Sequence, residues 1–315
     1  MTSPNPIEQV PLLSLEKLSA DEFADAIGSS FRASGFAMVT DHGMDPDLVA
    51  RGWALSKAFF ALPEEAKRAY LVPGGAGQRG YTAFGTEVAK GASENDLKEF
   101  WHVGRELPAD HPLAADMPPN IWPSEIADFE QTFSDLFAAF DETGARILSG
   151  VARHLGLAPD WFDSRIENGN SILRLLHYPP VSPQAPGIRA GAHEDINLIT
   201  LLLGAEEGGL QLLTKSGDWI PASPPPGALV INVGDMLQRL TNHVLPSTSH
   251  RVLNPPPERR HIARYSMPFF LHFRPDVIID ALPQCVSAAN PQRDPPISAH
   301  DYLHERLREI GLKKG

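Results

Sequence analysis

The chain has 315 residues, 42% of them apolar and 21% charged, enough for one large domain or two modest ones around a sizeable core. Its formal charge of −12 argues against nucleic acid or an anionic membrane surface as the main partner, because both need a basic patch. The single cysteine, Cys285, excludes an intrachain disulfide and a cysteine-built zinc site; the opening MTSPNPIEQV carries no signal pattern and no apolar run can span a bilayer, so the expected location is cytoplasmic.

In chain order, VPLLSL reads as a short opening strand. Ser19 and Glu22 form a capping-box signal, and Phe23, Ile27 and Phe31 follow at helical spacing. GFAMVTDHG reads as a strand running into a turn, with His42 as a turn residue. The next segment, DPDLVARGWALSKAFFALPEEAKRAY, is helical and interrupted near Pro63, so residues 1 to 70 or so form β-α-β-α. VPGGAGQRGYTAFG holds a formal G-x-G-x-x-G at Gly75, Gly77 and Gly80. It lacks the strand before and the helix after that a dinucleotide-binding turn requires, and reads as a loop. From Ser124 to Leu155 a helix is expected, with Phe129, Phe133, Leu136, Phe137, Phe140, Ile147, Leu148, Val151 and Leu155 as its core-facing stripe. After residue 170, short apolar stretches alternate with Pro and Gly punctuation, the pattern of an all-β sandwich or barrel. SAHDYLHERLREIG closes the chain as a helix.

The chemistry concentrates in this second half. AHEDINLITLLLG places His193 and Asp195 at the head of an apolar run. In a strand, residues i and i+2 share a face about 7 Å apart, so both can reach one ion while Glu194 points away. On a helix the same spacing would separate them. A zincin H-E-x-x-H is excluded, because Asn197 stands where the second His would be. Alone, H-x-D is also the pattern of a strand-edge His in an ordinary hydrogen bond. His250, in STSHRV, heads another alternating stretch, and two His with one carboxylate match the facial triad of a non-haem Fe(II) oxygenase. In ARYSMPFF, Arg264 and Ser266 share one strand face, and Arg is suited to a bidentate grip on a carboxylate. Arg260 competes for that grip, but Ile262 stands where the accompanying hydroxyl would be. Four further residues have readings of their own. His243 is a substitute ligand candidate, His177 and His272 are satisfied or pocket-lining histidines, and Arg251 is expected to pair with a nearby acid as a brace.

These segments together resemble the isopenicillin N synthase-like family of Fe(II)/2-oxoglutarate-dependent oxygenases. GFAMVTDHGM is similar to its G-F-x-x-(V/I)-x-N-H-G-(V/I), FFALPEEAKRAY to F-F-x-L-P-x-E-x-K, and LRLLHYPP to L-R-x-N-Y-Y-P-P. HEDINLITLLLG is similar to H-T-D-x-G-x-(L/I)-T-L-L, GDMLQRLTNHVLPSTSHRV to G-D-x-L-Q-x-x-(S/T)-N-G-x-(F/Y)-x-S-x-x-H-R-V, and RYSMPFF to R-x-S-x-x-F-F. The resemblance implies His193, Asp195 and His250 as iron ligands, Arg264 and Ser266 as holders of the distal carboxylate of 2-oxoglutarate, and Tyr178 as a further contact to that co-substrate. It implies an α+β fold: a double-stranded β-helix (jelly-roll or cupin-like) core with an N-terminal β-α segment and flanking helices. The expected division is an N-terminal non-haem dioxygenase region at 1–120 packed on the outside of the barrel, a scaffold helix at 121–165, the jelly-roll core at 166–280 and a C-terminal extension and helix at 281–315.

The implied activity is O2-dependent oxidation, in the first instance hydroxylation, of a small organic molecule, coupled to decarboxylation of 2-oxoglutarate to succinate and CO2, with ascorbate helpful in vitro. Nucleic acid and membrane are not expected partners. Tyr81, Phe84, Phe100 and Trp101 come from a segment that in relatives lies over the active-site mouth. Three departures, Leu176 for Asn, Asn197 for Gly and His243 for Gly, are expected near that mouth. A 2-oxoglutarate-independent Fe(II) oxidase of the same fold, a catalytically silent jelly-roll binding protein and a zinc hydrolase on a cupin-like barrel remain as alternatives.

Overall fold

The structure, a computed structural model, describes residues 10–75, 77–87, 94–182, 185, 187–204 and 207–309. The expectations about a leader at residues 1–9 and about the last residues of the terminal helix lie outside them. Strands β1 (Leu12–Ser14) and β2 (Phe36–Thr40) flank helix α1 (Ala20–Ser34), and α2 (Pro46–Phe60), α3 (Glu64–Arg68), β3 (Gly80–Thr82) and β4 (Glu99–Gly104) follow. Helices α4 (Phe129–His154) and α5 (Asp163–Ile166) lead into β5 (Ile172–Tyr178), β6 (Ala190–His193), β7 (Ile199–Leu203), β8 (Leu210–Leu213), β9 (Trp219–Pro221) and β10 (Leu229–Val233). Then come α6 (Asp235–Leu240), β11 (His250–Val252), β12 (Arg264–Leu271), β13 (Ile278–Ile279), β14 (Ile297–Ser298) and α7 (Ala299–Glu309).

Local chemistry sets the first elements. The Ser19 Oγ accepts from the Glu22 N–H while the Glu22 carboxylate accepts from the Ser19 N–H, closing the capping box of α1. Gly35, at φ +70°, ends the same helix in the left-handed conformation and turns the chain into β2. Residues 77–79 lead into the three-residue strand β3 rather than into a helix, so the glycine-rich segment is not a dinucleotide-binding turn. Helix α4 begins at Phe129, later than the periodicity suggests, because Asp128 sits at φ +60° and breaks the helical path.

Two sheets face each other. The larger has eight strands in the order β1-β2-β10-β7-β12-β5-β4-β3; the smaller has four, β6-β11-β8-β9. Among the described strands of both, all pairings are antiparallel except β1 with β2. The N-terminal region is thus part of the larger sheet, to which it gives four strands. This is the jelly-roll core expected, with the helices packed outside it. Period-two alternation divides the larger sheet's side chains. Leu173, Leu175, Leu201, Leu203, Ile231, Met267, Phe269 and Leu271 point outward into the main core beneath α4, where Phe269 lies parallel to Phe140 at 5.4 Å. Gly144 of α4 makes that approach possible, since a Cβ there would stand 2.3 Å from Leu271. The opposite face and the smaller sheet enclose a second, smaller cluster of Phe36, Phe100, Leu176, Tyr178, Ala190, Leu210, Leu212, Val230 and Val252. That inner space holds the site.

Candidate metal centre

His193 ends β6 and His250 opens β11, and the two are direct cross-strand partners. Asp195 follows on the turn into β7. The Nε2 atoms of His193 and His250 each lie 3.9 Å from Asp195 Oδ1, and the three ligand atoms are all within 4.8 Å of one another. No other group of three or more His, Cys, Asp or Glu among the described residues converges in this way.

Each donor is held from behind. His193 Nδ1 is 2.7 Å from the Gly191 carbonyl and His250 Nδ1 is 3.2 Å from that of Thr248. A carbonyl can only accept, so Nδ1 carries the proton and Nε2 keeps its lone pair toward the centre. Asp195 Oδ2 accepts from Thr200 Oγ1 at 2.5 Å and Asn232 Nδ2 at 2.8 Å, which leaves Oδ1 for the shared point. The Asp195 main chain is fixed as well, its carbonyl taking the Asp235 N–H at 2.7 Å. Gly234 lies so close to Asn197 that a Cβ would stand 2.1 Å from the Asn197 carbonyl oxygen. Burial, with the neighbouring His250 ring, pushes His193 down to about 4. Burial alone would raise Asp195, but His250, His193 and the Thr200 and Asn232 hydrogen bonds hold it below the ordinary carboxylate value. At neutral pH His193 is therefore a neutral imidazole and Asp195 a carboxylate, the forms in which these groups bind a divalent metal.

Toward one end of the barrel lies the Arg264–Ser266 pair. Arg264 pairs with Tyr178 and Ser266 with Leu176 across β12 and β5. Arg264 is buried; its Nη1 reaches Ser266 Oγ at 3.1 Å, its Nε donates to the Glu207 carbonyl at 3.0 Å, and its guanidinium lies 5.0 Å from the Tyr178 ring centre. Toward the other end stands a group the sequence reading missed. Arg174, on the same face of β5 as Tyr178, covers Phe100 at 4.1 Å and Phe270 at 5.3 Å. It donates to His102 at 2.6 Å and to both Glu87 oxygens at 3.3 Å. Lys98 joins Glu87 (2.9 Å) and Asp96 (2.8 Å), and Asp96 accepts the Gly191 N–H, two residues before His193. Strand periodicity was the available signal: Arg174 and Tyr178 are four apart and must share a face.

Other expectations divide. Phe100 faces the inner cluster, whereas Tyr81 and Trp101 point into the outer core and Phe84 is exposed. His177 is satisfied on the outer face, 2.7 Å from Glu99, and His42 is a turn residue whose Nε2 is 2.8 Å from the Gly227 carbonyl. His243 is no ligand; it bonds Asp294 at 2.8 Å. Arg251 does brace the sheet, but through the Gln211 amide oxygen at 2.9 Å and the Trp219 ring at 4.0 Å rather than through an acid. Asn197 does not line the mouth: it is buried beside Thr200, 3.2 Å from its hydroxyl.

Two family models match successive stretches of the chain. Residues 10–125 match the model described as non-haem dioxygenase in morphine synthesis N-terminal, and residues 169–273 match that of the 2OG-Fe(II) oxygenase superfamily. The chain is 32% identical over 319 residues to the 2-oxoglutarate-Fe(II) type oxidoreductase hxnY of Emericella nidulans, covering 98% of this chain and 90% of that protein. A solved structure from Caulobacter crescentus, described as a 2OG-Fe(II) oxygenase family protein, is 52% identical with a TM-score of 0.89, covering 96% and 99% of the two chains. A Neurospora crassa protein, solved at full length in complex with alpha-KG and thymine, is 30% identical with a TM-score of 0.85 over 96% and 98%.

Proposed function

Since the chain belongs to the Fe(II)/2-oxoglutarate-dependent oxygenase family and is a non-haem dioxygenase using Fe(II) and 2-oxoglutarate, we propose that His193, Asp195 and His250 hold its iron and that Arg264 and Ser266 hold the distal carboxylate of its 2-oxoglutarate, with Tyr178 as a further contact to that co-substrate. One observation carries this reading: three ligand atoms from two separate stretches of chain converge, each with its far atom tied by a hydrogen bond that leaves the near atom available.

When bound there, Fe(II) with 2-oxoglutarate and O2 supplies the oxidising power to hydroxylate a C–H bond while the 2-oxo acid becomes succinate and CO2. The protein's part is placement. The two Nε2 atoms and Asp195 Oδ1 would be the protein's donors to the iron, a set that would leave it able to take co-substrate and O2 as well. Arg264 and Ser266 fix one end of the co-substrate and so orient its chelating end. Asn232 and Thr200 keep the Asp195 carboxylate from turning away.

The primary substrate is a small molecule, entering from the side of Arg174, Phe100, Phe270 and His102. Thr200, which bonds Asp195, is the cross-strand partner of Phe270, so this group stands level with the metal donors, opposite the Arg264 end. The aromatic walls and the guanidinium suit a compact ring-bearing molecule with a hydrogen-bond acceptor. The thymine held by the Neurospora relative supports a substrate of that size.

Succinate release tests the reading. Purified protein with Fe(II), 2-oxoglutarate and ascorbate is expected to form succinate slowly, and faster when a panel of small molecules includes the true substrate. His193→Ala is expected to fall to the protein-free background; unchanged turnover in that variant discards the iron assignment.

A further inference from the structure

The Arg264 end of the barrel holds one guanidinium more than the assignment above uses. Arg189, just before β6, has no exposed surface. Its Nη2 donates to the Ile262 carbonyl at 2.9 Å, two residues from Arg264, while Nε and Nη1 have no partner among the described residues. Glu207 is the carboxylate that acts on both Arg189 and Arg264, and it is already gripped by Arg259, whose Nε is 3.2 Å from Glu207 Oε2 and whose Nη2 bonds Oε1. Two enclosed guanidinium groups thus look to the same acid, which is committed elsewhere. Burial, then repulsion from Arg264, pushes Arg189 down to about 10. An enclosed cation with unmet donors is costly unless an anion arrives to meet them.

We propose that Arg189 is a second cationic contact for the distal carboxylate of 2-oxoglutarate, beside Arg264, and that it sets the preference for a dicarboxylic over a monocarboxylic 2-oxo acid. The inference rests on the reading that the Arg264 end receives the co-substrate. A carboxylate offers about four lone-pair sites, more than Arg264 and Ser266 fill, so both guanidinium groups can be met by one anion. Arg189 is then a specificity residue rather than only a brace between β6 and the loop before β12.

The experiment is calorimetric titration of the Mn(II)-loaded full-length protein with 2-oxoglutarate and with 2-oxopentanoate, which has the same chelating head but a methyl group in place of the distal carboxylate. Arg189→Met is expected to weaken 2-oxoglutarate about tenfold and 2-oxopentanoate less than about twofold, the loss of one charge-assisted contact. Arg189→Lys, which keeps the charge, is expected to stay within about threefold for both. Taking the ratio of the two acids within each variant cancels any general loosening of the fold. An unchanged ratio in Arg189→Met, or an equal loss in Arg189→Lys, overturns the proposal. Arg264→Met is the control: if it alone loses the preference, the co-substrate site stands and Arg189 has no part in it. If neither variant shifts the ratio, the placement of the co-substrate fails too.

Discussion

The two faces of the larger sheet are made by the same strands and carry opposite chemistry. Outward, residues such as Leu201, Met267, Phe269 and Leu271 meet the apolar stripe of α4. Inward, alternate positions on those strands are Thr200, Arg264, Ser266 and Phe270, and from β5 and β10 come Arg174, Tyr178 and Asn232. One face stabilises by area removed from water, which is insensitive to small shifts in direction. The other keeps polar groups enclosed at a cost, and is useful only where their lone pairs and protons point at a common place. Changes on the outer face should therefore act on stability, and changes on the inner face on ligand affinity.

The largest effect is expected from Phe269→Ala. Phe269 is fully buried, parallel to Phe140 and edge-on to Phe137 at 5.0 Å. Its removal is expected to lower the free energy of unfolding by about 3–5 kcal/mol, read from the denaturant midpoint, while 2-oxoglutarate affinity of the folded fraction stays unchanged. A matching loss of affinity would mean that the two faces are not separable.

A second, smaller effect tests a buried polar group just beyond the end of β12 through pH. His272 follows β12, is buried with Nδ1 unpartnered among the described residues, and is pushed by burial down to about 4. The unfolded chain takes up this proton near 6.5 and the folded chain only near 4, so the unfolded state holds more protons between those values. The stability tied to neutral His272 is complete above 6.5 and is lost as pH falls through 4. Wild type is expected to lose up to about 3 kcal/mol more than His272→Gln across that window, measured as the difference between their denaturation curves. Parallel curves would show that His272 takes its proton as easily inside the fold as outside.

The same contrast explains what the sequence disclosed. The outer face is written in periodicity: the Phe129–Val151 stripe of α4 and the alternating strands can be read without knowing what they touch. The candidate ligands His193 and Asp195 and the Arg264–Ser266 pair were legible because their spacings are short and chemically specific, whereas His250 stands far along the chain and was legible only from the motif around it. The supports behind them were not. Thr200 sits inside an apolar run and Asn232 inside another, and only the pairing of β7 with β10 brings both to Asp195. The Glu87–Lys98–Arg174 group joins a loop to a strand far along the chain, a contact no local pattern encodes. Helix α6 is too short for a helical period to register. Phe100 and Trp101 show the reverse, a reading that periodicity would have sharpened: as neighbours on one strand they cannot both face the site.

The smallest expected effect is the most pointed test of the division. Thr200 is an inner-face residue within a strand whose outer side chains are Leu201 and Leu203, and its hydroxyl donates to Asp195 Oδ2 at 2.5 Å. Thr200→Val keeps the branching and nearly the shape, so packing against β12 and β10 should hold. What it removes is one of two restraints on the carboxylate, leaving Asn232 alone at 2.8 Å. Metal affinity is expected to fall about 10- to 100-fold, measured by competition with a chelator. Unfolding free energy of the metal-free protein should change by less than about 1 kcal/mol, because the lost bond is offset by relief of an enclosed hydroxyl. If the metal-free protein is instead badly destabilised, the inner polar residues also hold the fold together, and Asp195 is oriented by the barrel as a whole rather than by the two groups that touch it.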